Sequence, residues 1–373
     1  MIERALCVIF LLCGLAPAPG GAQQSVRVRI DHLMQPYTGD VPGAAVAVIQ
    51  AGRVRYLHGY GMADLEQHVP VTGATNFRLA SLTKAFTAAS IQWLAARGRL
   101  HLDDTLGRWL PQLPAESAAV TLRQVLTHTS GLIDYEDLIA AGTRQQLHDA
   151  DVLRLVAQEH RTYFAPGTQY RYSDTGYSLL SLVVAKASSE DFASFLRDHV
   201  FGPLNMRSSV AFEEGISSVA NRAYGYSAAA AGWVRTDQSL TSAVLGDGGV
   251  YSSAADLVRW DAALAHGPLL GPAARHQACQ RATATDDPNV GYGFGWRVTG
   301  ETCWHSGETL GFRHAIVRYP QRRFTVIVLT NRNEGEPYDL ALAIADLFLP
   351  GANRVRAKEA VTGPDSGAHP LVR

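Results

Sequence analysis

Ser81 and Lys84 stand three residues apart in the tetrapeptide Ser-Leu-Thr-Lys. Residues at this spacing share one face of a helix, so the lysine amine can reach the serine hydroxyl if the segment is helical. The residues that follow are largely apolar, and burial among them would lower the pKa of the amine and let it take the serine proton. A surface lysine near a helix-capping serine is the alternative, and the tetrapeptide on its own favours that alternative.

Two further segments follow this tetrapeptide in the chain, Tyr172–Asp174 and His305–Gly307. The ordered set resembles the serine β-lactamase and penicillin-binding-protein superfamily, in its class C and DD-carboxypeptidase/esterase branch. That branch is marked by Ser-x-x-Lys, then Tyr-x-Asn, then Lys/His-x-Gly on a strand. Further stretches of similar sequence are Leu126–Gly131, Pro166-Gly167, Gly248–Ser252 and Tyr292–Trp296. The resemblance covers about residues 40–350.

The resemblance implies a role for each matching residue. Ser81 would be the nucleophile that becomes acylated, and Lys84 would share its proton. Tyr172 would relay a proton between Ser81 and the leaving group, and it needs the nearby lysine because an unperturbed phenol, with a pKa of about 10, is a poor base. The backbone amides of Ser81 and Glu308 would form the oxyanion hole. Gly307, on the edge of the sheet facing Ser81, would let a substrate backbone approach.

Two positions depart from the pattern. His305 replaces a lysine and is only partly charged near neutral pH, so it would attract a substrate carboxylate more weakly than an ammonium does. This favours peptidase or esterase activity over efficient β-lactam hydrolysis. Asp174 replaces the usual asparagine, and an ionised carboxylate accepts hydrogen bonds but donates none. Asp174 could pair with Lys84, keep it protonated and disfavour anionic or carbonyl groups of a substrate. Alternatively, this position could tolerate either residue without any change in function.

Hydrophobic patterning predicts the elements that position these residues. Apolar residues lie all round the segment Ser81–Arg97, which is typical of a buried central helix. Strands are predicted at Ala44–Gln50, Arg53–Tyr60, Tyr292–Val298, Gly311–Tyr319 and Phe324–Thr330, with turns at Ala51-Gly52, Gly307–Leu310 and Pro320–Arg322. Helices are predicted at Leu122–Thr127, Tyr177–Ala187, Phe192–Val200, Ala254–Ala265 and Leu340–Leu349.

This order of elements predicts an α/β fold of the α+β kind. Strands from both chain ends form one antiparallel sheet flanked by helices, and a mainly helical region at about residues 100–265 is inserted into it. The resemblance implies the same architecture, that of β-lactamases and transpeptidases. Residues 23–350 are assigned to this domain, residues 1–22 to a signal peptide, and the polar residues 351–373 to a mobile tail.

Composition and the first residues narrow the setting. The 33 Lys and Arg against 34 Asp and Glu give a formal net charge of -1 over 373 residues, which argues against nucleic acid as the main partner. The apolar run Ala5–Leu15 and the small residues up to Ala22 predict a cleaved export signal that is too short to span a membrane. The mature protein is therefore expected to be periplasmic or secreted, where Cys279 and Cys303 could pair or remain free thiols.

These observations predict an exported serine hydrolase that forms an acyl-enzyme on Ser81 and needs no metal or organic cofactor. The chain has no His-Glu-x-x-His motif, no phosphate-binding loop and no Gly-x-Ser-x-Gly nucleophile turn. The expected partner is a small-molecule or peptide substrate: a D-Ala-D-Ala-type peptide of the cell wall, a D-amino acid amide or a carboxylic ester, with β-lactams as side substrates. A non-catalytic binding or regulatory protein on the same fold is the alternative.

Overall fold

Strands from both ends of the chain lie side by side in the computed structural model, which describes residues 20–213, 215–353 and 355–357. The strands are β1 (Ala44–Gln50), β2 (Arg53–Tyr60), β3 (Met62–Asp64), β4 (Val69–Pro70), β5 (Asn76–Arg78), β6 (Val210–Ala211), β7 (Tyr226–Ala229), β8 (Gly232–Arg235), β9 (Val250–Ser253), β10 (Thr283–Ala284), β11 (Val290–Tyr292), β12 (Arg297–Thr299), β13 (Thr302–Thr309), β14 (Phe312–Tyr319) and β15 (Phe324–Thr330). In the described residues eight of these strands form one antiparallel sheet, in the order β10-β11-β12-β13-β14-β15-β1-β2. β1 pairs with β15 along its whole length, and this pairing joins the two chain ends.

Helices cover both faces of this sheet and fill most of the chain between its two groups of strands. They are α1 (Gly20–Leu33), α2 (Thr83–Ala95), α3 (Leu106–Trp109), α4 (Ala115–Ala118), α5 (Leu122–Leu126), α6 (Asp149–Val156), α7 (Asp174–Ser188), α8 (Phe192–Phe195), α9 (Leu245–Gly248), α10 (Ala254–His266), α11 (Pro272–Ala278) and α12 (Pro337–Asp346). The mixed α/β architecture predicted from the sequence, an antiparallel sheet from both chain ends flanked by helices, is thereby confirmed.

Alternate residues of each strand enter two different apolar cores, because successive side chains of a strand point to opposite faces. In β1, Val46 and Val48 pack on the side of α1 and α12. Ala45 and Ala47 pack on the other side, in the core that contains α2 and α10. Nearly every residue of α2 is buried, so the predicted central helix is confirmed.

Several predicted boundaries are wrong, for local reasons. The run Tyr292–Val298 is not one strand, because a turn at residues 293–296 separates β11 from β12, and Gly295 in that turn has φ +77°. Glycine tolerates this left-handed backbone, and the apolar run hid the turn. β13 continues through the predicted turn at Gly307–Leu310 as far as Thr309. Pro337 starts α12 earlier than predicted, since proline suits the first position of a helix.

Most of the predicted signal peptide and tail falls outside the described residues. α1 begins at Gly20, before the predicted cleavage position at Ala22, so cleavage stays a prediction. Among the described residues, no helix combines the length and the apolar character needed to cross a membrane. The structure also settles the cysteine alternatives, because Cys279 and Cys303 form a disulfide with their Cα atoms 5.5 Å apart. This bond ties the residue after α11 to the beginning of β13.

Candidate active site

Ser81 lies in a 3₁₀ turn, Ala80–Leu82, that leads directly into the buried helix α2. Ala80 has φ +48°, a left-handed conformation that costs an alanine about 1–2 kcal/mol. β13 packs against this turn. A Cβ atom built on Gly307 would lie 2.2 Å from the carbonyl oxygen of Leu79, so glycine is required there for the strand to approach the turn. The structure therefore gives Gly307 a role in seating Ser81, in addition to any contact with a substrate backbone.

Lys84 lies one turn further along and its side chain is fully buried. Its Nζ donates a hydrogen bond to Ser81 Oγ at 3.0 Å and another to the backbone carbonyl of Asp247 at 3.1 Å. The third bond goes to Oδ1 of Asp174, with which Lys84 forms an ion pair. An ammonium group has three donors, so all three are used in this site.

The protonation state of Lys84 differs from the first expectation. Burial acts to lower the pKa of Lys84, but the Asp174 carboxylate, then Tyr172 and Asp247, act to raise it, and the result lies above the ordinary lysine value. The prediction that burial makes Lys84 partly neutral is therefore wrong, because it considered desolvation without the carboxylate. The other expectation, a pair with Asp174 that keeps Lys84 protonated, matches the geometry.

Tyr172 lies just before α7, and its ring is buried beside Lys84, with 5.0 Å between Nζ and the ring centre. Burial raises the pKa of Tyr172, whereas the Lys84 ammonium and the Ser81 side chain lower it. The effect of burial is larger, so the pKa lies above the usual value of 10.0. Tyr172 is therefore a neutral phenol near pH 7. Serine, ammonium and phenol are in contact within one buried cluster.

Two neighbours of Tyr172 were not identified in the sequence. His128 has φ +55°, its Nδ1 accepts a hydrogen bond from the amide of Ser173 at 3.1 Å, and its ring lies 4.3 Å from the Tyr172 ring. The buried guanidinium of Arg297 lies 5.1 Å from the same ring and donates to Ser306 Oγ at 3.2 Å. A single histidine and a strand-end arginine have no periodic pattern, although His128 stands in one of the family-like stretches.

His305 is completely buried and makes two hydrogen bonds. Nδ1 donates to the carbonyl of Ser306 at 2.6 Å, so Nε2 accepts from the Tyr292 hydroxyl at 2.9 Å. Burial, followed by the Arg297 charge, holds the pKa of His305 well below 6.5. The prediction of a partly charged histidine is therefore wrong, since the low pKa leaves the imidazole neutral at neutral pH.

The strand that carries His305, β13, lies between β12 and β14 and is not an edge strand over its whole length. However, β12 pairs only with Thr302, Cys303 and Trp304. In the described structure no strand pairs with this side of β13 from His305 to Glu308, so this segment forms a local edge of the sheet. The Glu308 carboxylate pairs with Arg313 at 3.7 Å, and burial raises its pKa while Arg313 lowers it. This side chain thus has a partner on the neighbouring strand.

Asp174 is the first residue of α7, and the carboxyl group of Asp247 lies behind its pair with Lys84. Tyr135 donates to Asp247 Oδ2 at 3.2 Å. Burial, followed by the charge of Asp174, raises the pKa of Asp247 well above its ordinary value. The buried Asp247 carboxyl, held by Tyr135, lies next to the charged pair on the inner side of the site. The described residues contain no group of three or more His, Cys, Asp and Glu side chains arranged to hold a metal ion.

The structure therefore brings four of the predicted residues together: Lys84 donates hydrogen bonds to Ser81 and Asp174, and its Nζ lies beside the Tyr172 ring. Gly307 packs against the Ser81 turn. The arrangement can hold a serine hydroxyl next to a fixed positive charge and a neutral phenol, which are the groups needed for a proton transfer coupled to nucleophilic attack.

Comparison with known proteins agrees with this geometry. Residues 27–349 match the model of the Beta-lactamase family. Penicillin-binding protein 4* of Bacillus subtilis (strain 168) is 31% identical over 316 residues, which are 80% of this chain and 70% of that protein. Relatives from Staphylococcus aureus are 26–27% identical, and the chain spans 63–64% of their length.

Solved structures give the same result. The penicillin-binding protein of Bacillus halodurans aligns with a TM-score of 0.75 and 27% identity, over 86% of this chain and 99% of that one. EstCE1, a hydrolase with promiscuous acyltransferase activity, aligns with a TM-score of 0.75 and 26% identity, over 87% of this chain and 99% of its own. Because the family model spans most of the chain and a relative above 30% identity is covered over most of its length, this protein belongs to the β-lactamase family, together with the penicillin-binding proteins.

Proposed function

We propose that this protein is a serine hydrolase that forms an acyl-enzyme on Ser81 and cleaves a small amide or ester. One observation carries the proposal: the Ser81 hydroxyl accepts a hydrogen bond from the buried Lys84 ammonium, whose Nζ also lies 5.0 Å from the centre of the Tyr172 ring. Because Lys84 donates to Oγ, the serine keeps its own proton, and in this proposal the neighbouring Tyr172 phenol takes it. A polar cluster that only stabilised the fold would not require a serine hydroxyl at its partly exposed end.

The proton path follows from the two pKa directions. All three donors of Lys84 are used and its pKa is raised, so Lys84 acts as a fixed positive charge and Tyr172 moves the proton. As Oγ bonds to the substrate carbonyl carbon, its proton passes to the Tyr172 oxygen while the phenol proton passes to the leaving nitrogen or oxygen. The bond to the leaving group then breaks. Water releases the acyl group by the same steps in reverse.

The carbonyl oxygen becomes negative during the attack and requires hydrogen-bond donors. We assign this role to the backbone amides of Ser81 and Glu308, because the Ser81 turn and β13 are packed together and β13 has no strand partner in the described structure on one side at this point. Gly307 maintains that contact. Oxyanion-hole donors of this kind typically contribute about 3–4 kcal/mol of transition-state stabilisation.

The substrate range in this proposal is a D-Ala-D-Ala-type peptide of the cell wall, a D-amino acid amide or a carboxylic ester, with β-lactams as side substrates. The penicillin-binding proteins and the hydrolase EstCE1 among the similar proteins support this range. The proposal includes export to the periplasm or medium after cleavage near Ala22, which the apolar first segment supports. Nucleic acid is not among the proposed partners.

A covalent probe tests the proposal. The protein is incubated with a fluorescent β-lactam or a fluorophosphonate, and labelling and p-nitrophenyl ester turnover are measured with intact-mass detection. Ser81→Ala should abolish both while the far-ultraviolet circular dichroism stays unchanged. Ser173→Ala is the matched control, because its buried hydroxyl has no hydrogen-bond partner in the described structure. Unchanged turnover in Ser81→Ala would refute the mechanism, and an unlabelled wild-type protein would favour a non-catalytic binding protein.

A further inference from the structure

Asp174 has more hydrogen-bonding capacity than the Lys84 pair uses. Its Oδ1 accepts from Lys84, and 21% of the side-chain surface remains exposed. An ionised carboxylate offers about four acceptor positions. In the described structure the side chain makes no hydrogen bond other than the one to Lys84. A negatively charged group with free acceptor positions therefore lies beside the nucleophile.

This carboxylate is close enough to contact an acyl group attached to Ser81. Ser81 Oγ and Asp174 Oδ1 both accept from the same Nζ of Lys84, so the two oxygens are separated by at most two hydrogen-bond lengths, about 6 Å. In an ester on Oγ, a substituent on the acyl α-carbon lies about 3–3.5 Å from Oγ by ordinary bond lengths. Such a substituent can lie within ion-pair distance of Asp174.

The local charge favours a positive substituent at that position. The Asp174 charge balances Lys84, so an approaching ammonium meets a neutral pair whose carboxylate is partly exposed. Burial raises the pKa of Tyr135, and the carboxyl groups of Asp247, Glu136, Asp174 and Asp134 act in the same direction, so acidic side chains lie on this side of the site. Arg297, the other buried cation beside Tyr172, donates to Ser306 on the sheet side.

We propose that Asp174 selects substrates whose acyl group carries a free ammonium on the carbon next to the scissile carbonyl, and disfavours the N-acylated forms of the same substrates. The proposal rests on the proposed function and specifies its substrate class, amides or esters of amino acids with an unblocked amino group. An asparagine would leave the Lys84 charge uncompensated, which repels an ammonium. Its amide could also donate to the carbonyl of an N-acyl group, which a carboxylate cannot do.

The test compares two substrates in each protein. D-alanine p-nitroanilide and its N-acetyl derivative are assayed at about pH 6.5, below the usual α-amino pKa of about 8, so that the free amine is charged. The wild type should prefer the ammonium substrate by about tenfold or more in kcat/KM, and Asp174→Asn should reduce this ratio about tenfold, mainly through KM. Any common effect of the substitution on Lys84 and Ser81 cancels in the ratio. Asp137→Asn, at an exposed carboxylate, is the control and should leave the ratio unchanged.

A second measurement needs no variant, in case Asp174→Asn does not fold. The wild type is assayed with D-alanine p-nitroanilide and with the α-hydroxy analogue, which has the same shape and no charge. Equal kcat/KM for these two substrates, or an unchanged ratio in Asp174→Asn, overturns the inference, as does covalent labelling of Ser81 without cleavage of the ammonium substrate. Absence of both labelling and turnover overturns the proposed function, and this inference with it.

Discussion

Replacing Tyr172 with phenylalanine removes the proposed proton relay and little else. The phenylalanine ring keeps its contact with His128, at 4.3 Å between ring centres, and lies over the Lys84 ammonium, at 5.0 Å. Only the phenolic oxygen and its polar interaction with Ser81 are lost. Even a full side-chain hydrogen bond contributes only about 0.5–1.5 kcal/mol to stability, so the melting temperature should change by no more than a few degrees.

Turnover should change far more than stability. Positioned proton transfer contributes about 10²–10⁴-fold to rate, which corresponds to about 3–5 kcal/mol in the activation free energy. Tyr172→Phe should therefore lower kcat by that factor with little change in KM. The loss should be larger for a p-nitroanilide than for a p-nitrophenyl ester, because p-nitrophenolate leaves without needing a proton. Steady-state kinetics on both substrates, with melting curves of the same samples, measures these effects.

Tyr177→Phe is the matched control for this experiment. Its ring also lies near Lys84, at 5.7 Å, but its hydroxyl donates to the backbone carbonyl of Leu126 at 2.8 Å. This variant loses a buried phenolic hydrogen bond of comparable strength, and it should keep its amide turnover within a few-fold of wild type. The relay is refuted if Tyr172→Phe retains amide turnover within tenfold of wild type, or if Tyr177→Phe loses as much.

Two further predictions concern stability. The Cys279–Cys303 disulfide closes a loop with a sequence separation of 24. The double variant Cys279→Ser/Cys303→Ser should therefore be less stable than the wild type by about 2–4 kcal/mol. A melting temperature that changes neither with these substitutions nor with reductant would contradict this. Burial and then Asp174 raise the pKa of Asp247, so the folded state binds a proton that the unfolded carboxyl releases. The free energy of unfolding should therefore fall as pH rises from about 4 through the folded pKa of Asp247. Asp247→Asn should remove this pH dependence in melting curves recorded across pH. The same pH dependence in the wild type and in Asp247→Asn would show that Asp247 does not cause it.

The parts of the fold that local patterning specifies were predictable from the sequence. The hairpin β1–β2, the helix α2 and the strands β14 and β15 each carry a clear apolar period or a continuous apolar run, together with recognisable turn residues. The division of Tyr292–Val298 was not predictable in this way, because a turn built on Gly295 interrupts a segment that is mostly apolar and aromatic. The position of β13 inside the sheet depends on pairing with β12 and β14, which a single sequence does not encode locally.

The sequence predicted which residues form the site better than it predicted the charges that they carry. Ser81 and Lys84 are three residues apart, so their spacing makes a contact possible, but the resemblance to the family was needed to prefer it over a surface lysine. The charge on Lys84 depends on Asp174 and on the backbone of Asp247, which are 90 and 163 residues away in the chain. Desolvation is visible in an apolar stretch, but a partner from another element is not. The neutral state of His305 has a similar origin, because burial by the packed elements sets its pKa.

The two departures from the family pattern act in the same direction on substrate charge. Where that pattern has an amide next to the lysine and often a second lysine on the strand, this protein has the carboxylate of Asp174 and the neutral imidazole of His305. The first compensates the Lys84 charge, and the second provides no positive charge near neutral pH. A substrate carboxylate, as in a β-lactam or a D-Ala-D-Ala terminus, loses two sources of attraction, whereas an ammonium loses two sources of repulsion. Asp174→Asn changes only the first of these, so it should shift the preference toward anionic substrates without restoring the attraction that a strand lysine would provide.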